Sequence, residues 1–314
     1  MWSAFQTVFG QMMIILCLLL IGYVFNRKGW APRETESVLS RLITRIFLPA
    51  LSFNTFLTRC TVKNLSENWS LLLYGGLLCL ISIAVSYPIA KVLARGDRYL
   101  AGVLRYSISF PNTGGVAIPL TLAIYGTMGL FQFSLFTLVN VIFCYSWGLA
   151  QFMPDMQEAT FRQKLAKVCN PNCVAMLIGG IMGLTGLGEV LPQVFYDGVG
   201  KLVDCYTATA LLLTGFVIAD YPLRRIFGDK LVYVMTALRL VVLPLVSLAV
   251  MKLLGASEVM MAMACLLLCS PCGMNVVIFP AAYGQSSRFG ASFVLISSAL
   301  SVVTVPLLFA LFCG

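Results

Sequence analysis

An asparagine set inside an apolar run is the feature of this chain that could do chemistry, and it occurs twice. Asn112 stands in Ser-Phe-Pro-Asn-Thr-Gly-Gly-Val-Ala-Ile-Pro-Leu (109–120), and Asn275 in Ser-Pro-Cys-Gly-Met-Asn-Val-Val-Ile-Phe-Pro (270–280). Each stretch lies in a run long enough to cross a bilayer. The first nevertheless holds two prolines, two adjacent glycines and the asparagine, all of which oppose a continuous helix. Unpaired backbone in hydrocarbon is so costly that a broken segment is tolerated there only inside protein or beside a water-filled cavity. A half-helix starting at such a break presents unpaired N–H groups and partial positive charge, which suits a carboxylate. Asn112 and Asn275 can each donate to a ligand oxygen or pair with the backbone freed by the facing break. Thr113, Gly114 and Gly115, with Gly273 in the second stretch, let backbone come close to that ligand. Pro111, Pro119, Pro271 and Pro280 are read as shaping the breaks rather than touching a ligand.

Charged side chains inside apolar runs are the next candidates. Arg239 lies deep in such a run, where a guanidinium is expensive and functional by default. It can pair with an anionic substrate or hold the carbonyls of a broken helix, and the sequence leaves both open. Arg105 follows it as a substrate-binding candidate, then Arg45, whereas Arg41 is near enough to a span edge to snorkel. Asp204 is the carboxylate placed clearly inside an expected span; it can carry a coupling proton or form an interfacial ion pair with Lys201. The eleven cysteines sit almost entirely in apolar runs and histidine is absent. Cys265, Cys269 and Cys272 share helical spacing, but buried cysteine as a small hydrophobe is the simpler account. No metal, disulfide or cofactor is expected.

These side chains need an apolar framework, and composition supplies it. Of 314 residues 60% are hydrophobic and 11% charged, with a mean hydropathy of +0.92, far outside the range of a soluble domain. The net charge of +9 comes in basic blocks between apolar runs, the pattern of membrane topology rather than of nucleic-acid binding. The first run, 5–25, lacks a basic leader and a small-residue cleavage site, so it reads as a span rather than a signal peptide. At about 20 residues per crossing, ten spans are expected near 4–25, 37–58, 69–94, 100–125, 129–153, 171–188, 194–219, 230–254, 258–284 and 289–312. Alternate connections hold thirteen basic residues on one side (among them Arg33, Lys91, Arg98, Arg162, Arg224 and Arg288) and four on the other: Arg59, Lys63, Lys201 and Lys252. That bias puts both termini outside the cytoplasm.

The two halves repeat. Pro119 and Pro280 are separated by 161 residues, as are Gly22 and Gly183, and Pro32 and Pro192 are separated by 160. At that offset Arg41-Leu42, Ala50-Leu51 and Phe56 fall on Lys201-Leu202, Ala210-Leu211 and Phe216. Five spans per copy force the second copy to enter from the opposite side. The expectation is therefore an all-α polytopic membrane protein of two inverted five-helix repeats, 1–153 and 171–314, joined by a cytoplasmic linker at 154–170. Spans four and nine are broken and cross near the midplane, the arrangement of a secondary transporter's substrate site. Gly179 and Gly183 in span six are read as packing residues.

Asn-Thr-Gly-Gly-Val-Ala-Ile-Pro-Leu (112–120) resembles the fourth-span motif of the auxin efflux carrier family, and Pro-Cys-Gly-Met-Asn-Val (271–276) its ninth-span counterpart. Leu48-Pro49-Ala50-Leu51, Asn170-Pro171, and Leu238-Arg239-Leu240 with Pro244 also resemble that family, so the likeness covers essentially the whole chain. Plant members carry a long loop between spans five and six. The short one here resembles the bacterial branch of malate and malonate permeases, in the broad group that also holds bile-acid and arsenite transporters. The resemblance implies a sodium/proton-antiporter-like fold, with a scaffold of spans one, two, six and seven and a transport unit of three to five and eight to ten. It also implies an elevator motion and a homodimer through the scaffold.

The functional expectation is a secondary transporter of a small organic anion, a mono- or dicarboxylate, in the plasma (inner) membrane, driven by a proton or sodium ion. Its partners are that anion, the ion and the bilayer. The alternatives are a sodium-coupled symporter of the bile-acid type, for which the acidic sodium ligands are missing, and a sensor that binds the ligand without moving it. A lipid-acting enzyme would need paired carboxylates or a histidine at the membrane surface, which the sequence lacks.

Overall fold

Four helices begin where side-chain chemistry marks a start. Thr61 accepts from the Asn64 N–H at 3.1 Å, Asp97 from Leu100 at 3.0 Å, Asp229 from Leu231 at 3.0 Å and Ser257 from Met260 at 3.3 Å. Each satisfies a donor that a helix start leaves without a partner. The computed structural model describes residues 2–32, 34–152, 171–219, 229–282, 285 and 288–313, and every regular element among them is helical. The chain runs through α1 (Trp2–Arg27), α2 (Thr35–Leu42), α3 (Leu48–Arg59), α4 (Val62–Ala94), α5 (Arg98–Ser109) and α6 (Ile118–Phe143). It continues through α7 (Pro171–Leu184), α8 (Gln193–Ala219), α9 (Lys230–Ala237), α10 (Leu243–Leu253), α11 (Glu258–Leu268), α12 (Asn275–Ala282) and α13 (Arg288–Cys313).

Wide π turns join or flank several of these helices, at Ile43–Phe47, Thr113–Ala117, Cys144–Gly148 and Leu238–Val242. Three of them end two residues before a proline: Pro49, Pro119 and Pro244. Proline brings no N–H, and its ring crowds the carbonyl four residues back, which in each case lies within the wide turn. Widening the turn moves that carbonyl aside while the chain stays helical.

Among the described residues six helical runs are long and apolar enough to cross a bilayer: 5–27, 62–94, 113–148, 193–219, 230–253 and 288–313. The sequence reading expected ten spans, and the difference lies in the interruptions. Residues 35–59 are divided by a wide turn, and α5, α7, α11 and α12 are 12, 14, 11 and 8 residues long. The run 113–148 continues where two spans were separated in the sequence; it bends at Gly126, whose φ of 62° and ψ of −159° are open to glycine without strain. The 154–170 connection, with Arg162, Lys164 and Lys167, lies outside the described residues, as do Arg33, Arg224 and Arg225.

α1 packs along α8, and α3 along α7 and α8. Both contacts are backbone-close: a Cβ at Gly215 would stand 2.0 Å from the Leu19 carbonyl oxygen, and one at Gly183 would stand 2.7 Å from that of Phe56. One buried cluster, with Phe131, Phe133 and Phe136 of α6, joins α1, α11 and α13. A second, with Tyr106, Phe110 and Phe293, gathers around the two breaks. The outer surface is apolar, Leu73, Leu177, Val246 and Leu307 all being exposed, as a lipid-covered surface requires.

Candidate functional site

α5 stops because of Pro111. The residue before a proline is pushed out of the helical region, and Phe110 is extended at φ −121° and ψ 112°. α11 ends at Leu268, ahead of Pro271, with its capping residue Cys269 still in the helical region at φ −77° and ψ −12°. The backbone freed at the two breaks pairs with itself: Asn112 N–H donates to the Pro271 carbonyl at 2.8 Å, and Pro111 and Cys272 form a single antiparallel bridge. Gly273 permits this approach, since a Cβ there would lie 2.9 Å from the Pro111 oxygen. Cys272 N–H donates to the Ser297 hydroxyl of α13 at 3.2 Å, so the second break is also tied to its neighbour. The two interruptions, 160 residues apart in sequence, thus meet.

Asn112, 4% exposed, opens the turn that leads into α6. Its Oδ1 accepts from the Gly115 N–H at 2.9 Å, and its carbonyl accepts from Val116 and Ala117 at 3.2 and 3.1 Å. Because Gly115 donates, the amide oxygen is the atom it meets, and Nδ2 is left buried and without a partner among the described residues. Gly115 has no room for more: a Cβ would be 2.8 Å from Asn112 Oδ1 and 3.1 Å from Thr214 Oγ1. The Thr113 N–H reaches the Pro111 carbonyl at 2.9 Å, with its hydroxyl at 3.5 Å from the same oxygen. The Gly114 carbonyl accepts from the Tyr206 hydroxyl of α8 at 2.7 Å. On the other break Asn275 begins α12, and its Nδ2 contacts Cys144 Sγ at 3.7 Å. That sulfur in turn stands 3.1 Å from the Tyr106 hydroxyl. Pro119 follows the first break as the second residue of α6, and Pro280 lies inside α12.

Arg239 sits in the wide turn between α9 and α10 and is 2% exposed. One terminal nitrogen donates to the Ile108 carbonyl in the last turn of α5 at 2.8 Å. Nε and the other terminal nitrogen are buried without an acceptor, and among the described residues no carboxylate pairs with the guanidinium. A cation at a helix C-terminus is favourable, but two of its donor nitrogens remain unsatisfied.

The other charged candidates lie elsewhere. Arg105 turns back along α5: its Nε donates to the Ala101 carbonyl at 3.2 Å and its guanidinium lies 5.0 Å over the Tyr87 ring. Arg41 and Arg45 are exposed. Asp204 is exposed on α8, two residues and so about 200° around the helix from Tyr206, which faces the first break. The sequence reading missed Tyr206, Tyr106, Cys144 and Thr214. Each is an ordinary residue of an apolar span, and no local signal marks it, because its partner is far away in sequence or on another element.

The chain matches the membrane transport protein family over residues 7–309. It is 24% identical over 296 residues to an uncharacterized transporter of Methanothermobacter thermautotrophicus, covering 93% of this chain and 94% of that one. It is also 24% identical over 127 residues to an uncharacterized transporter of Schizosaccharomyces pombe, 40% of this chain and 28% of that one. A third, in Methanocaldococcus jannaschii, is 27% identical over 119 residues, 38% of each chain. A multi-pass helical chain with two paired breaks, matched to transporters along nearly its whole length, is itself a membrane transporter, and it belongs to the membrane transport protein family, that of the auxin efflux carriers.

Proposed function

We propose that this transporter carries a small organic anion, a mono- or dicarboxylate, bound where the α5–α6 and α11–α12 breaks meet. The observation that carries the reading is a set of buried donors there that have no partner among the described residues: Arg239 Nε and one of its terminal nitrogens, and Asn112 Nδ2. A buried donor left without an acceptor costs about 1–3 kcal/mol, and more when charged. A carboxylate supplies acceptors and a negative charge together, and the planar fork of an arginine matches it. Asn275, Thr113 and the backbone of Gly114, Gly115 and Gly273 border the same place and complete the proposed site.

The ten-span inverted repeat and the elevator belong to the same proposal. α1 on α8 and α3 on α7 are the same pairing in the two proposed repeats, and both rest on glycine. These four helices with α2 would form the scaffold and the dimer contact, and the remainder would form the moving unit. The Tyr206–Gly114 and Arg59–Thr127 hydrogen bonds then join scaffold to moving unit. Both termini would lie outside the cytoplasm, across the plasma membrane. The test of the site is ligand affinity in Arg239→Gln, measured with mono- and dicarboxylates on purified protein. A larger loss for the dianion supports the reading; equal losses with a lowered Tm would make Arg239 a structural tie to α5.

A further inference from the structure

A cavity of about 360 Å³ opens where α4 ends and α5 begins, away from the two breaks. Lys91, Arg98 and Arg105 line it. Asp97 is its one acidic lining residue, and a carboxylate oxygen of Asp97 is already engaged as the cap of α5. Three positive charges therefore face a single negative one, and among the described residues none of the three is in an ion pair. Arg105 is held by its bond to the Ala101 carbonyl and by the Tyr87 ring, so its charge is fixed rather than swinging in solvent.

The rest of the wall is Tyr87, Pro88 and small apolar side chains. Tyr87, Pro88 and Lys91 are exposed on α4, so the cavity opens on an apolar outer face. It also lies at the end of an apolar span, where Ala94 gives way to Arg95, Gly96, Asp97 and Arg98. A freely dissolved anion has no use for an apolar wall; a phosphate tethered to a glycerol and acyl chains does.

We propose that this cavity binds the phosphate group of an anionic phospholipid, with Lys91, Arg98 and Arg105 on the phosphate and the Tyr87–Pro88 wall against the glycerol and upper acyl chain. Basic pockets at the edge of a membrane protein bind such headgroups, and the volume is in the range that accepts ligands of that size. Each basic residue near an anionic membrane surface contributes about a five-fold gain in affinity.

Binding of phosphatidylglycerol and phosphatidylcholine to the detergent-purified full chain, counted by native mass spectrometry, tests the assignment. Phosphatidylglycerol should bind selectively. Lys91→Gln with Arg98→Gln should weaken it about 25-fold and leave phosphatidylcholine unchanged. The charge-keeping pair Lys91→Arg with Arg98→Lys should retain binding, which separates lost charge from lost folding. Equal binding of the two lipids would overturn the proposal. So would an equal loss in the control pair Lys230→Gln with Arg288→Gln, which would mean diffuse surface attraction. Displacement by millimolar inorganic phosphate at matched ionic strength would also overturn it, making this a site for the free ion.

Discussion

Arg239→Gln keeps much of the stem and removes the charge, so at residue scale it tests the proposed site most sharply. A hydrogen bond to a charged group is worth about 1.5–3 kcal/mol, so dicarboxylate affinity should fall about 10- to 100-fold, more than that of a monocarboxylate. Arg239→Lys keeps the charge without the fork and should fall between. Asn112→Ala and Asn275→Ala should each impair uptake while the protein still inserts and elutes as folded. Normal uptake in both would return these residues to a backbone role, which for Asn112 is already visible in its cap on Gly115. The asparagines and Arg239 were legible in the sequence because a polar group in an apolar run is conspicuous by itself. Tyr206 was not: a tyrosine in an apolar span is unremarkable until its hydroxyl is found on a carbonyl 92 residues away. Arg105 was legible as a buried-span cation, but its turn back toward Tyr87 depends on the neighbouring helix, which the sequence of α5 does not contain.

At the scale of elements, glycine contacts set how close the helices lie. Gly215→Ala and Gly183→Ala push a methyl into the Leu19 and Phe56 carbonyls and should each cost about 1–3 kcal/mol, read as a lowered Tm. Gly198→Ala, in α8 with nothing within 4 Å of the new methyl, should be neutral or stabilising, because alanine is the better helix former. A fall in Tm for Gly198→Ala as large as for Gly215→Ala would contradict the packing account. The breaks at Pro111 and Pro271 could be read from the sequence since proline acts on its own neighbours. The wide turns before Pro49, Pro119 and Pro244 could not. Whether a helix kinks, stops or widens ahead of a proline is decided by the packing around it. For the same reason the expected boundary between the fourth and fifth spans became a bend at Gly126 in one helical run.

For the whole molecule, the orientation proposed from the charge asymmetry is testable without a ligand. Single cysteines at Gln163 and Gln193, in a background free of reactive cysteine, should label from opposite sides of the membrane; labelling from one side would sink the inverted repeat. The membrane class was plain from composition, and the repeat offset pointed to two matching breaks. Their direct meeting, through Asn112 on Pro271, is a contact between halves that no local pattern encodes. The most direct test of the central claim is uptake of labelled mono- and dicarboxylates into proteoliposomes, with and without proton or sodium gradients, by the native chain and by Arg239→Gln. The account expects saturable uptake of a carboxylate by the native chain and at least about a ten-fold loss in the variant. It would be contradicted if no carboxylate moved under any gradient while a neutral or cationic solute was carried equally well by both proteins.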